Sequence, residues 1–100
     1  MLIVIGHVMT APETAEEITR LCTEHSARSR AEPGCLAHNV HVDCENPARL
    51  VFVEQWADEA GLKAHFAMPE SQKFVRAVRA LSPARTVMHL YNADELPSAD

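Results

Sequence analysis

Two residues that could handle protons, and an aromatic ring beside them, lie in the segment EQWADEAGLKAH, Glu54–His65. A histidine in a partly dry pocket can act as a general base near neutral pH, which makes His65 a candidate catalytic residue. Glu54 is a second candidate, because a carboxylate on a buried face either pairs with a cation or handles protons itself. Trp56, the only tryptophan of the chain, is either a core residue or a flat wall for an aromatic substrate.

A further candidate, His38, lies in the run HNVH at positions 38–41. Side chains alternate between the faces of a strand, so His38 points to one face and Asn39 and His41 to the other. This alternation excludes His38 and His41 as a local pair of metal ligands. We predict that His38 faces the helices, because apolar residues share its parity. These residues are Leu36, Val40 and Val42.

No metal, flavin, haem or nucleotide cofactor is predicted. The spacings of possible ligands do not assemble a set of three or four, and no glycine-rich phosphate loop is present. His25 and His89 are accordingly interpreted as core or surface residues rather than ligands.

The elements that must position these residues begin with a strand over residues 2–9, rich in β-branched side chains. Thr10 and Glu13 match a capping box, so a helix is expected to begin there and to end at the segment AEPGC. Its predicted buried stripe recurs every three or four residues. The stripe consists of Ala15, Ile18, Cys22 and His25, with Leu21 beside them.

Asp58 is expected to cap a second helix, and Pro69 to break that helix and open another. Spacings of three and four residues predict the buried faces of both pieces. The first carries Leu62, His65 and Phe66, and the second carries Phe74, Val78 and Leu81. A short last strand is expected over residues 86–91.

Two more strands, residues 35–43 and 49–56, are expected to pair as a hairpin around the turn residues Asn46-Pro47. The resulting order, β-α-β-β-α-β, predicts a ferredoxin-like α+β domain over residues 1–92. Residues 93–100 are predicted to be a loose polar tail.

The third strand carries apolar residues on both faces, with Leu50, Phe52 and Trp56 on one parity and Val51 and Val53 on the other. The predicted helices can cover one face of the sheet only. We therefore expect a second copy of the chain to cover the other face, which gives a homodimer.

The composition limits the possible partners. A chain of 100 residues with 47% hydrophobic and 23% charged residues is typical of one soluble globular domain. The nine scattered Lys and Arg residues and the net charge of −5 argue against nucleic-acid binding. No apolar run suits a signal peptide or a membrane span. Three cysteines without CxxC spacing favour free thiols in a reducing compartment, so a cytoplasmic location is expected.

The segments EPGCLAHNVHVD and VFVEQWADEAGLKAHFAMPESQKF resemble the antibiotic biosynthesis monooxygenase (ABM) family, in particular its quinol monooxygenase branch. The resemblance covers about residues 1–91. Its most specific parts are E-P-G-C at Glu32–Cys35, E-x-W at Glu54–Trp56 and A-H at Ala64-His65. It implies a dimeric α+β barrel, in which two ferredoxin-like sheets pack face to face.

The resemblance also implies oxidation of a small phenolic or quinol-type aromatic by O₂ without a cofactor. For this reaction we expect His65 to act as the base, helped by His38 or Glu54. His38 stands where many quinol-type members have a tyrosine. The implied substrate-binding residues are Trp56, Phe52, Phe66, Leu62 and Phe74. Haem-degrading relatives carry an axial histidine near the position of Val78, so haem breakdown is not expected here.

Two alternatives from other classes remain open on the sequence alone. The chain could bind a small aromatic or polyketide as a non-catalytic dimer, or it could perform isomerase or cyclase chemistry with the same base and without O₂. Oxygen uptake distinguishes oxidation from both alternatives. Product formation without oxygen uptake distinguishes an isomerase or cyclase from a non-catalytic binding protein.

Overall fold

Four strands and three helices alternate along the chain in a computed structural model that describes residues 1–98. They are β1 (Leu2–Met9), α1 (Ala15–Ser29), β2 (Cys35–Asp43), β3 (Asn46–Trp56), α2 (Glu59–Ala67), α3 (Pro69–Leu81) and β4 (Val87–Asn92). The strands form one antiparallel sheet in the order β2-β3-β1-β4. The predicted ferredoxin-like α+β fold is confirmed, and Pro69 divides its second helix as expected.

The strand register places two of the polar candidates side by side. His38 of β2 pairs with Glu54 of β3, which pairs in turn with Val4 of β1. Directly paired residues project from the same face of a sheet. His38, Glu54 and Val4 are all buried, so this face is the one covered by the helices, as predicted for His38.

The two faces of the sheet differ in how well the chain covers them. The helix side carries the buried residues Leu50, Phe52 and Trp56 of β3. On the opposite face, Val51 and Val53 are only partly buried although they lie in a central strand. Val51 and Val53 lie on the same face, as the sequence predicted. The apolar side chains on this face remain partly exposed.

The start of α1 corrects one prediction. Thr10 does not cap a helix. Its backbone N–H and its hydroxyl both donate to the carbonyl of Ala48 in β3, at 2.8 and 3.2 Å. A turn follows, in which the N–H of Thr14 donates to the carbonyl of Ala11, and the helix begins at Ala15. The sheet's hydrogen bonds therefore displace the capping box.

The β2–β3 hairpin is tighter than predicted. Its turn is Cys44-Glu45, where the N–H of Glu45 donates to the side chain of Asp43 at 2.9 Å, and β3 already begins at Asn46. Pro47 is tolerated because it lies at the start of a strand.

A bulge in β2 corrects the predicted placement of Leu36. Cys35 pairs with Trp56 and Ala37 with Gln55, so Leu36 is the extra residue of a bulge and is 58% exposed. Strand parity alone placed Leu36 on the covered face with His38, and that prediction was wrong.

The segment after β4 is tied to the sheet at its first residue. Ala93 and Met1 exchange two backbone hydrogen bonds, at 2.9 and 3.0 Å, and residues 94–98 have no regular secondary structure. The last two residues of the predicted tail, 99 and 100, lie outside the described residues. Within residues 1–98, none of the helices combines the length and apolar character that crossing a membrane requires.

Candidate active site

A cavity of about 430 Å³ lies between the sheet and the helices. Its size falls within the range of roughly 300–1,000 Å³ that is common for small-molecule sites. Three phenylalanines line it, Phe52 from β3, Phe66 from α2 and Phe74 from α3. Its polar lining includes His25, Glu54, His65, Gln72 and Arg76. The cavity therefore suits a small aromatic molecule with a few polar groups.

Gly6 helps to create this space. It lies in the central strand β1, on the helix side, between Phe52 of β3 and Met88 of β4. A side chain at this point of the sheet would project into the cavity, and a Cβ atom would lie 2.9 Å from the carbonyl oxygen of Val87. The missing side chain keeps the sheet end of the cavity open.

His65 is held by a carboxylate at the cavity wall. It lies one turn after Leu62 on the buried face of α2, and Asp58 caps that helix by accepting from the N–H of Gly61 at 2.9 Å. Its Nδ1 lies 2.9 Å from Oε1 of Glu32. Because a carboxylate oxygen accepts, Nδ1–H donates, and Nε2 remains as the nitrogen that can take up a proton.

The E-P-G-C turn brings Glu32 to that position. Gly34 has φ of +83°, which a glycine adopts at little cost, and its Cα is 3.4 Å from where a Cβ of Gly61 would lie. The turn can therefore pack directly on α2, one helical turn before His65. The N–H of Ala57 also donates to the Gly34 carbonyl at 2.8 Å, which fixes the turn at the end of β3.

Glu54 is a partnered buried carboxylate. It accepts from the indole N–H of Trp56 at 3.0 Å, and its Oε1 lies 3.3 Å from Nε2 of His38. Burial alone would raise the pKa of Glu54, but His38 and the Trp56 N–H outweigh that effect and lower it. Glu54 is therefore a carboxylate at neutral pH, and it can accept a hydrogen bond from a ligand hydroxyl.

His38 lies behind the cavity rather than on its wall. It is fully buried, and its Nδ1 is 2.8 Å from the hydroxyl of Ser26 on α1. Its Nε2 has no aligned hydrogen-bond partner among the described residues, although Glu54 is close. Any effect of His38 on a molecule in the cavity must therefore pass through a neighbouring side chain or follow a rearrangement.

His25 is the residue that the sequence interpretation missed. It projects from α1 into the cavity and stacks on Phe74, with ring centroids 4.0 Å apart and planes 2° from parallel. Burial, followed by the nearby His38 and His65, lowers its pKa to about 3, so it is neutral at pH 7. Its place on the predicted buried stripe of α1 was the available signal, since a stripe residue must face the sheet.

The predicted substrate-binding residues divide between the cavity and its surroundings. Phe52, Phe66 and Phe74 line the cavity, together with the predicted catalytic residues Glu54 and His65. Trp56 is fully buried behind them, 4.7 Å from the His65 ring, because its indole is fixed to Glu54. Leu62 lines a separate, smaller cavity between α2 and β4. The structure therefore gives Trp56 and Leu62 supporting positions rather than wall positions.

Three histidines from three elements meet beside the cavity. One ring nitrogen each of His25, His38 and His65 lies within 4.8 Å of the other two. The premise that no three ligands could be assembled was therefore wrong, because the fold, and not the spacing along the chain, brings these residues together.

Comparisons with known proteins agree with this fold. The family model described as "Antibiotic biosynthesis monooxygenase" matches residues 1–77. A crystal structure of an antibiotic biosynthesis monooxygenase is 32% identical to the chain, covers 95% of it with its full length, and gives a TM-score of 0.86. The protein PA3566 from Pseudomonas aeruginosa is 30% identical, with 94% of each chain covered and a TM-score of 0.83.

A curated relative, the protein sll1783 of Synechocystis, is 31% identical over 74 residues, or 74% of this chain. The chain spans about half the length of that relative, namely 50%.

Proposed function

Because the chain belongs to the antibiotic biosynthesis monooxygenase family, we propose that it oxidises a small phenolic or quinol-type aromatic with O₂, without a resident cofactor. The observation that carries the proposal is the Glu32–His65 pair on a cavity lined by three phenylalanines. A base, a flat apolar site and limited access to water are the features that such a reaction needs.

In the proposed first step, Nε2 of His65 removes the proton from a substrate hydroxyl. The O–H bond breaks, an N–H bond forms, and the carboxylate of Glu32 stabilises the resulting imidazolium through Nδ1–H. The phenolate is a much better electron donor than the neutral phenol. Deprotonation therefore determines when the substrate can react with O₂.

In the next steps, the phenolate gives one electron to O₂ and the two radicals combine into a C–O bond, which forms a peroxide. The peroxide anion takes the proton held by His65, and the O–O bond then breaks as the same carbon loses its remaining hydrogen as a proton. One oxygen atom stays on the substrate as a carbonyl, and the other leaves as water. The phenylalanine walls keep solvent away from the charged intermediates.

Glu54 and Trp56 have different roles in this proposal. Glu54 accepts a hydrogen bond from a second substrate hydroxyl and so orients the ring toward His65. Trp56 is a positioning residue, because its indole N–H fixes Glu54 at 3.0 Å. His38 supports Glu54 from the other side, at 3.3 Å.

The proposal includes a homodimer in a reducing, cytoplasmic environment. The apolar residues of the open sheet face, Val51 and Val53, support the dimer because a second sheet would remove them from water. The three cysteines are free, and Cys44 is exposed, which is compatible with a reducing compartment.

A second candidate function is isomerase or cyclase chemistry. It is favoured by two carboxylate–histidine pairs, Glu32 with His65 and Glu54 with His38, on the same side of the sheet. Two such pairs could remove a proton from one carbon and return it to another. This reaction would give a rearranged product of unchanged mass and no oxygen uptake.

An oxygen electrode with a panel of hydroquinones and anthrones tests the proposal. The wild type should consume one O₂ per product, and His65→Gln should slow this by about 10²- to 10⁴-fold, the usual contribution of a positioned base. His41→Gln is the matched control, because His41 lies on the opposite face of the sheet, away from the cavity. Full activity of His65→Gln on every substrate oxidised by the wild type would refute the mechanism. No uptake with any of them, with an isomerised product, would favour the second candidate.

A further inference from the structure

The histidine cluster formed by His25, His38 and His65 has the composition of a transition-metal site. The ring centroids are 5.2 Å apart for His25–His38, 5.2 Å for His25–His65 and 5.5 Å for His38–His65. All three side chains are buried, and they come from α1, β2 and α2. A buried polar group without a hydrogen-bond partner needs an explanation, and a bound ion is one of them.

The surrounding hydrogen bonds are those that orient metal-binding histidines. Glu32 holds Nδ1 of His65 at 2.9 Å, and Ser26 holds Nδ1 of His38 at 2.8 Å. Ligating histidines usually bond such a partner through one nitrogen and the metal through the other. The Nε2 atoms of His38 and His65 are the ones left over. That of His38 is buried and lies 3.3 Å from Oε1 of Glu54, but among the described residues it makes no aligned hydrogen bond.

We propose that His25, His38 and His65 bind one divalent transition-metal ion, for which Zn²⁺ is the reference, with the fourth position open to the cavity. Tetrahedral bonds of about 2.0–2.1 Å separate ligand nitrogens by roughly 3.3 Å. The nitrogens here lie within 4.8 Å of one another, so the rings must close inward by as much as about 1.5 Å. The adjoining cavity gives the ion a path to the site.

Metal binding would oppose the proposed oxidation. The ion would occupy the nitrogen of His65 that otherwise takes the substrate proton. The metal-loaded protein should therefore be inactive in that reaction and the metal-free protein active. This consequence rests on the proposed function, whereas binding itself does not.

Titration of the EDTA-treated, dialysed full chain with Co²⁺ and Zn²⁺ tests the inference. Co²⁺ should produce the intense visible bands of a four-coordinate site, and calorimetry with Zn²⁺ should give one ion per chain. His38→Gln should weaken Zn²⁺ binding at least as much as the roughly 10- to 100-fold that loss of an outer partner costs. His41→Gln and Cys44→Ser, at positions outside the histidine cluster, should leave affinity and stoichiometry unchanged.

If circular dichroism shows that His38→Gln does not fold, Ser26→Ala and Glu32→Gln replace it. Each removes an orienting partner and should weaken binding by about 10- to 100-fold. Absence of the Co²⁺ bands and of a one-to-one Zn²⁺ isotherm in the wild type would overturn the inference. Loss of binding in Cys44→Ser would overturn it too, by locating the ion at the thiol. These readouts need no substrate, so they are independent of whether oxygen uptake is found.

Discussion

At the scale of single residues, the chemistry of the site depends on which groups are partnered. His65 gains a defined orientation from Glu32, and Glu54 keeps its charge in a buried place because Trp56 and His38 contact it. In the proposed reaction, Glu32 is a positioning residue that acts through His65, whereas Phe52, Phe66 and Phe74 contact the substrate with their ring faces. Substitutions of these residues should therefore affect different measured quantities.

Replacing Glu32 by Gln should lower kcat by about 10-fold or more while KM changes little, because the imidazolium loses its stabilising charge in the transition state. Glu32→Asp keeps that charge and should recover part of the rate. Steady-state kinetics of oxygen uptake measure both values. Equal kcat in wild type and Glu32→Gln would remove Glu32 from the mechanism.

Trp56→Phe should reduce the free energy of unfolding by about 1–3 kcal/mol, because the buried carboxylate of Glu54 loses a hydrogen bond. Urea denaturation at pH 7 measures the change. Tyr91→Phe, a change of one exposed aromatic hydroxyl, is the control and should be nearly neutral. An unchanged Trp56→Phe stability would show that the bond contributes nothing.

The low pKa of His25 predicts acid sensitivity of the metal-free protein. The folded-state pKa of about 3 lies below the ordinary value of 6.5, so the unfolded chain binds the proton first. The contribution of His25 to the free energy of unfolding is fully present above pH 6.5. It falls by about 1.4 kcal/mol per pH unit as the pH decreases toward 3. Between pH 6.5 and 5 the loss is about 2 kcal/mol from this group.

Urea denaturation at several pH values in EDTA measures that loss. In His25→Phe, which keeps a ring against Phe74, this part of the pH dependence should be absent. If the free energy of unfolding changes equally with pH in wild type and His25→Phe between pH 6.5 and 5, His25 is not the cause of the pH dependence.

At the scale of elements, the site depends on the contact between the E-P-G-C turn and α2. The turn follows α1 and carries Glu32, whereas α2 carries His65, so their packing sets the distance between the pair. Gly61 permits that packing, since a Cβ atom there would lie only 3.2 Å from the carbonyl oxygen of Pro33 in the turn.

Gly34→Ala should lower the free energy of unfolding by about 1–2 kcal/mol. This is the usual cost of placing a residue with a Cβ atom in the left-handed backbone conformation. It should also reduce oxygen uptake, because Glu32 moves with the turn. Gly34→Asn is the comparison, and it should cost less because asparagine tolerates this conformation. Thermal or urea unfolding of both variants measures the difference, and equal stability of wild type and Gly34→Ala would contradict the expected strain.

At the scale of the whole molecule, we propose that the open face of the sheet forms the interface of a homodimer. Apolar residues alternate along β1 and β3 on this face, including Ile3, Ile5, Val51 and Val53. A sheet that remains half exposed in this way is expected to pair with a partner, and two copies of one chain can meet with matching surfaces. The interface should bury on the order of 2,000 Å².

Val53→Lys should therefore convert the proposed dimer into a monomer, because burying lysine ammonium groups in an apolar interface is costly. Val42→Lys is the matched control, since Val42 lies on the helix side of the edge strand β2 and is 55% exposed. Light scattering at micromolar concentration measures the mass. A monomeric wild type, or a dimeric Val53→Lys, would exclude this face as the interface.

The sequence by itself determined the secondary structure and the faces of the sheet. Alternation in β3 and β2 predicted which side His38, Glu54 and Phe52 would face, because side-chain direction in a strand is a local property. Asp58 and Pro69 likewise predicted where α2 and α3 begin. The errors at Thr10 and Leu36 arose where sheet pairing, a long-range interaction, overrode a local signal.

Only the tertiary structure decided which polar groups meet. Glu32 and His65 are 33 positions apart, and His25, His38 and His65 lie on three elements, so no spacing rule could join them. Their proximity follows from the strand register, the bulge in β2 and the packing of the E-P-G-C turn on α2. Distances between side chains on different elements depend on packing of the whole chain, whereas the direction of one side chain depends on a few neighbouring residues. That difference is why the faces were predictable and the carboxylate–histidine pair and the histidine cluster were not.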